Sequence, residues 1–168
     1  MRTHYLLYAS PLGELLLVSN GKAITDLHIT AGKYVPPVGA DWVHDEWQAI
    51  LQQARRELDD YFAGRRRRFS VPLDPQGTDF QKRAWAALLE IPFGETRTYG
   101  QQARAMGRPK AVRAVGAANA RNPIGIIVPC HRVIGANGAL TGYAGGLRSK
   151  EYLLKLEGIQ SGSAPPSE

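Results

Sequence analysis

The chain has a single cysteine, Cys130, in 168 residues. That excludes an internal disulfide and any zinc site built on a cysteine pair, and it points to a reducing compartment. Long apolar runs are missing as well. Met1–His4 is followed only by Tyr5-Leu6-Leu7-Tyr8-Ala9, too short for the apolar core of a secretory signal, and nothing approaches a membrane span. These absences predict a soluble, intracellular protein with no membrane partner. Acid is missing from one long stretch. Between Arg97 and Arg132, the basic residues Arg97, Arg104, Arg108, Lys110, Arg113, Arg121 and Arg132 meet no Asp or Glu. Residues 1–75 hold nine basic and nine acidic residues, and 76–168 hold twelve and six, so the whole net charge of +6 lies in the second half. Charge of one sign gathered in a stripe points to a polyanion, with nucleic acid foremost. His4, His28 and His44 show no metal-ligand spacing, so no metal is expected.

The first half reads as scaffold. Tyr5–Ala9, Glu14–Ser19 and Ala23–Ile29 are strand-like runs parted by Ser10-Pro11-Leu12-Gly13 and by Asn20-Gly21, a strong hairpin signal. Residues 31–41 read as a loop. Trp47, Ile50, Leu51, Ala54, Leu58, Tyr61 and Phe62 recur at helical spacing over Asp45–Ala63 and predict a helix with an aromatic core stripe, stopped by Gly64. Arg65–Arg68 reads as a solvated loop, Phe69–Leu73 as one more strand, and Asp74–Gly77 as a linker.

The second half carries the chemistry. Thr78 with Gln81, and Thr98 with Gln101, are capping-box pairs that open helices. The first helix is expected to bury Phe80, Ala84, Trp85, Leu88 and Leu89. A short helix Tyr99–Met106, the turn Gly107-Arg108-Pro109 and a second helix from Lys110 to about Ala120 form a helix-turn-helix candidate. On the second helix Val112 and Val115 are expected in the core. Ala111, Ala114, Ala117 and Ala118 would share a face almost free of side chains, with Arg113 as its one long cation. Such a face suits close approach to DNA without base reading, with Arg113 free to fill the place of a displaced base or else to meet a phosphate or a surface acid.

Ile126-Ile127-Val128-Pro129 reads as a short buried strand that delivers Cys130 and His131. Taken alone, a lone cysteine is more often a small buried hydrophobe, and neighbours on an extended chain point to opposite faces. A thiol becomes a nucleophile as its thiolate, which a nearby base promotes. Thr141–Gly146 is a glycine-rich loop suited to close backbone approach, and a last helix is expected over about Ser149–Glu157. Residues 161–168 read as a disordered tail.

Pro129-Cys130-His131-Arg132-Val133, with Asn122-Pro123, Arg113-Ala114-Val115-Gly116, Tyr99-Gly100, Gly142-Tyr143-Ala144-Gly145-Gly146, Lys150 and Glu157-Gly158, resembles the signature of O6-alkylguanine-DNA alkyltransferases, nearest the bacterial constitutive type. The resemblance implies an α+β chain. Residues 1–75 would form an N-terminal α/β domain with a small antiparallel, RNase H-like sheet. Residues 76–160 would form a mainly helical, winged helix-turn-helix-like domain with the active site. It further implies direct-reversal repair in a bacterial cytosol, without cofactor or metal. Cys130 would take the alkyl group from a flipped O6-alkylguanine, and from O4-alkylthymine too, in one irreversible turnover. His131 and Glu157, linked through water, would draw off the proton. Tyr99 would donate to guanine N3, and Lys150 would assist at the leaving oxygen. Asn122 would brace the turn, and the backbone of Cys130 and Val133 with Tyr143 and Ala144 would hold the base. Arg113, Ala111, Ala114, Ala117 and Tyr99 would meet double-stranded DNA in the minor groove. Ala144 replaces a serine found in some relatives, Gly125 a proline and Asn119 a methionine, which predicts a roomier pocket. The expected state is a monomer, with cooperative binding along DNA allowed.

Three rivals are weighed against this. A non-catalytic lesion binder would have lost the cysteine. A helix-turn-helix regulator would want base-reading side chains on its second helix. A cysteine hydrolase would turn over rather than be consumed.

Overall fold

Where apolar residues run together or alternate, the chain of this computed structural model, described over residues 2–159, lies in strands. Strands β1 (His4–Ser10), β2 (Gly13–Ser19) and β3 (Ile24–Ile29) form an antiparallel meander. Gly13, at φ +94°, supplies the left-handed turn between β1 and β2 that an L side chain resists. β2 is an inner strand and Leu15–Val18 are all buried, which is why it reads as a continuous apolar run. A short strand, β4 (Val43–His44), was hidden beyond the loop. It pairs parallel to β1, so the sheet is mixed in order β3-β2-β1-β4 and not wholly antiparallel as expected.

Helix α1 (Ala49–Phe62) buries Leu51, Ala54, Leu58 and Tyr61. It starts later than expected. Asp45 Oδ1 accepts from Trp47 N in a turn, and the Gln48 side chain caps Leu51 N. Trp47 therefore falls outside the helix and is 82% exposed, not core. The expected strand at Phe69–Leu73 is absent for a specific reason. The buried Glu57 carboxylate accepts Ser70 N at 2.8 Å and Val71 N at 3.1 Å, donors that a sheet ladder would have used. Only Leu73 forms a parallel bridge, with Ile24.

The described residues divide into two compact units, 2–76 with Pro123–Gly125, and 77–122 with 126–159. Pro123–Gly125 joins the first unit through Leu27, whose N–H donates to Pro123 O and whose carbonyl accepts from Gly125 N.

In the second unit, α2 (Asp79–Leu89) and α3 (Tyr99–Ala105) open on the two capping boxes read from sequence, Thr78/Gln81 and Thr98/Gln101. With α4 (Val112–Ala120) they enclose Ala84, Ala103, Met106, Val115 and Ala118. Trp85 Nε1 donates to Ala118 O at 2.9 Å and ties α2 to α4. Leu89, expected in the core, is 49% exposed, because Ala84, Trp85 and Leu88 already complete the buried face. A two-residue parallel ladder joins β5 (Arg97–Thr98) to β6 (Val133–Ile134), and α5 (Leu147–Leu156) closes the unit.

Candidate active site

On α4 the buried face runs through Val115, Ala118 and Asn119, successive positions of a helical stripe. Two expectations fail on that geometry. Val112 is 40% exposed and Ala118 is buried, while Ala111 packs partly against the helical core. The exposed face is made of Val112, Arg113, Ala114 and Ala117. The Tyr99 ring lies over this helix at Gly116, 3.8 Å from where a side-chain carbon would begin. Asn119, expected at the pocket, is buried on this face. Its amide accepts from Gln102 Nε2 at 3.0 Å and donates to Gln102 Oε1 at 2.7 Å, a buried clamp between α3 and α4.

After α4 the chain turns at Asn122, whose Nδ2 donates to Val128 O at 2.8 Å. Residues 126–128 form a turn and not the expected strand. Ile126 takes φ +70°, a strained conformation for a β-branched residue, yet Ile126, Ile127 and Val128 are all buried. Burial explains the apolar run without a ladder. The turn leads into one turn of 3-10 helix, Cys130–Arg132, which replaces the expected extended geometry. Asn122 also hydrogen-bonds the Cys130 thiol. Enclosure of the sulfur pushes that thiol up, while Asn122 and the Lys150 charge pull it down.

His131 is completely buried, and its Nε2 donates to Glu157 Oε2 at 2.8 Å. The contact is direct, with no water between these two groups. With Nε2 holding the proton, Nδ1 is the lone-pair nitrogen, and it is enclosed without a hydrogen-bond partner. Burial holds His131 below its ordinary value despite the Glu157 charge, so the ring is neutral and basic at one defined atom. Arg132 was not assigned a role from sequence. Its Nε donates to Glu157 Oε1 at 2.7 Å, Nη2 to Oε2 at 3.1 Å and Nη1 to Ile91 O at 2.6 Å. The Phe93 ring lies 5.8 Å from the guanidinium carbon. Glu157 is thus an ionised carboxylate gripped by a bidentate cation. No spacing in the sequence announces that pairing, since Arg132 and Glu157 lie 25 residues apart.

Lys150 is fully enclosed and donates to Val133 O and Thr141 O, both at 2.6 Å, and to Gly142 O at 3.4 Å. Burial lowers it to about 8, against the opposing charge of Cys130. Thr141 Oγ1 donates to Tyr99 OH at 3.1 Å, which leaves the phenol's own proton free. Burial and the charges of Cys130 and Glu157 raise the Tyr143 hydroxyl well above its usual value, so it stays protonated beside them. Cys130 N–H donates to Val128 O and Val133 N–H to Cys130 O, which fixes the backbone of this turn. Ala144 sits half-buried in the glycine-rich turn. The second unit therefore brings together Asn122, Cys130, His131, Val133, Tyr143, Lys150, Glu157 and, through Thr141, Tyr99. Gly125 lies in the first unit, bonded to Leu27 O.

Comparison with known proteins gives one answer. Residues 3–75 match the ribonuclease-like domain, and residues 79–159 the DNA binding domain, of 6-O-methylguanine DNA methyltransferase. The chain is 54% identical over 155 residues to the methylated-DNA–protein-cysteine methyltransferase of Methanosarcina acetivorans, covering 92% of this chain and 98% of that one. Identity to the protein of that name from Mycobacterium tuberculosis is 51% over 154 residues, 92% of each chain. The crystal structure of the M. tuberculosis O6-methylguanine methyltransferase is similar at a TM-score of 0.84 and 50% identity over 92% of both chains. That of M. tuberculosis OGT in complex with DNA is similar at 0.85 and 47%, covering 95% of this chain and 96% of that one. Among the described residues, no helix is long and apolar enough to cross a membrane.

Proposed function

This chain belongs to the 6-O-methylguanine DNA methyltransferase family and is a direct-reversal DNA repair protein; we propose that Cys130 is its alkyl acceptor and His131 its general base. The observation that carries this reading is a thiol hydrogen-bonded by Asn122 and followed in the chain by a neutral imidazole whose Nε2 is fixed by the Glu157 carboxylate.

The sulfur attacks the alkyl carbon on guanine O6. The C–S bond forms as the C–O bond breaks, and the electron pair of that bond passes to the purine. His131 Nδ1 takes the thiol proton through a water, and the resulting imidazolium lies against Glu157. Tyr99 supplies a proton toward guanine N3, since its oxygen already accepts from Thr141. The product is a thioether, which water does not cleave, so each molecule acts once.

The substrate in this reading is double-stranded DNA carrying O6-alkylguanine, with O4-alkylthymine as a second lesion. Residues 76–160 bind it, and residues 1–75 act as support. The exposed face of Arg113, Ala114 and Ala117 lies in the minor groove, and Arg113 fills the stack once the lesion is flipped out, a step that costs a few kcal/mol and least at a damaged pair. Alanines allow close approach with no base reading, so affinity follows phosphate contacts and falls with salt. The protein works in the cytosol as a monomer that is able to bind cooperatively along DNA.

Intact mass after incubation with duplex DNA holding one O6-methylguanine tests the reading, with Cys130→Ser as control. One added methyl per protein, absent from the control, is the expected result. Tight lesion binding without a mass change would favour a lesion binder instead.

A further inference from the structure

Lys150 stands in the first turn of α5, nine residues after Thr141, and the glycine-rich loop lies between them. An ammonium has three N–H donors and no acceptor. Here three carbonyls receive them: Val133 O in β6, directly after the Cys130–Arg132 turn, and Thr141 O and Gly142 O at the start of the loop. The loop's other end is fixed by Gly146 N donating to Tyr143 O and Gly146 O receiving Lys150 N. Thr141 also reaches Tyr99 through its hydroxyl. All three acceptors are backbone carbonyls, and the side chain is completely enclosed.

We propose that Lys150 is a positioning residue that staples the glycine-rich loop 141–146 to β6, holding the loop's backbone at the distance from Cys130 that base capture requires. This rests on the alkyl-transfer reading and deepens it. It also revises the expected part of Lys150 at the leaving oxygen, because a donor to that oxygen would first have to release a carbonyl. The long third bond, 3.4 Å to Gly142 O, adds least to the staple, and the two short ones carry it. Keeping a cation in so closed a place is costly, which its lowering to about 8 reflects. Three aligned carbonyl dipoles stabilise the charge there. Tyr99 and Tyr143, both assigned to the base, stand on or beside the stapled loop, so its displacement would shift them together.

The test uses Lys150→Met, which keeps the length and removes the donors, in the full chain. Three rates are compared: methyl transfer from duplex O6-methylguanine, alkylation of Cys130 by iodoacetamide, and backbone hydrogen exchange of residues 136–147 against the α2–α4 core. A staple predicts fast exchange confined to the loop. It also predicts transfer reduced roughly 10²-fold, as displacement of a positioning group by about 1 Å would give, with thiol alkylation changed only about threefold. Equal losses in transfer and alkylation would overturn the proposal, because Lys150 would then act by its charge on the thiol. Unchanged loop exchange would overturn it as well. The unaltered protein supplies a measurement that needs no variant. Nuclear magnetic resonance should show a slowly exchanging Lys150 ammonium coupled across hydrogen bonds to the carbonyl carbons of Val133 and Thr141, and a freely exchanging ammonium would sink the idea. Failure of the unaltered protein to gain a methyl would instead refute the alkyl-transfer reading and leave the loop measurements to stand on their own.

Discussion

His131 Nε2 donates to Glu157 Oε2 at 2.8 Å, and neither side chain is exposed to solvent. The bond fixes which imidazole nitrogen is the base. Arg132 grips both oxygens of the same carboxylate, so the side chain has little freedom to turn.

Glu157→Gln should therefore do more than remove a charge. Arg132 would claim the amide oxygen, leaving the NH2 to face His131 and to force its proton onto Nδ1. Single-turnover transfer is expected to fall by roughly 10²-fold or more, the range of a lost general base. Stability is expected to fall by about 3 kcal/mol, since the Arg132 charge stays buried without its partner. Rate and urea unfolding measured on one preparation check both, and an unaltered rate would remove His131 from the mechanism.

Acid should weaken the fold in two stages. Burial lowers His131 from its ordinary 6.5 in spite of Glu157, so between its folded and unfolded pKa values the unfolded chain binds more protons. That contribution is complete above 6.5 and is lost as pH falls below it. Burial pushes Glu57 up, but donors from Gln53, Ser70 and Val71 outweigh it, and the carboxyl lies below 4.5. Its contribution is complete above 4.5 and is lost as pH falls through its folded value. Urea midpoints measured from pH 7 to 3 should decline first below about 6.5 and again below about 4.5. His131→Phe should remove the first decline, and Glu57→Gln the second.

Local signals in the sequence carried well where the chain itself supplies the partner. Both capping boxes, the meander and the α3-turn-α4 pair depend on residues a few positions apart. Expectations failed where a side chain, near or distant, took backbone donors that the apolar pattern does not record. Glu57 takes the backbone donors of Ser70 and Val71 and so prevents a strand. Asp45 and Gln48 set the helix start and leave Trp47 outside. At the site, the cysteine, histidine and asparagine were legible from the signature. The Arg132 grip on Glu157 and the three carbonyls around Lys150 arise from long-range packing, for which no spacing rule exists.

Asn119 gives a direct check on the expected roomier pocket. The roomier pocket was expected partly because Asn119 replaces a larger residue, yet both its polar atoms pair with Gln102. Asn119→Ala would leave Gln102 Oε1 buried and unpaired and should cost about 1–3 kcal/mol. The double variant with Gln102→Leu should recover part of that loss, a coupling of about 0.5–3 kcal/mol. The methyl-to-benzyl rate ratio should stay the same, and a large change would return Asn119 to the pocket. Gly125→Pro bears on the same idea by another route, since proline would delete the N–H that meets Leu27 O.

Arg113 separates the flipping step from the chemistry. It is exposed on α4 beside Ala114 and Ala117, remote in role from the Cys130–His131–Glu157 line. If it fills the stack, Arg113→Ala should slow methyl transfer from duplex DNA by at least about tenfold, because the cost of an empty stack, a few kcal/mol, is no longer offset. Reaction with free O6-benzylguanine base, which needs no flipping, should proceed unchanged. Placing the lesion opposite an abasic site should narrow the duplex defect, since less stacking is lost there. A phosphate contact alone would behave differently. It would weaken binding to damaged and undamaged duplex alike and lower the salt slope by about one. Transfer from single strands and duplexes, followed at two salt concentrations, distinguishes these cases, and equal losses on both substrates would mean that Arg113 holds the backbone and not the gap.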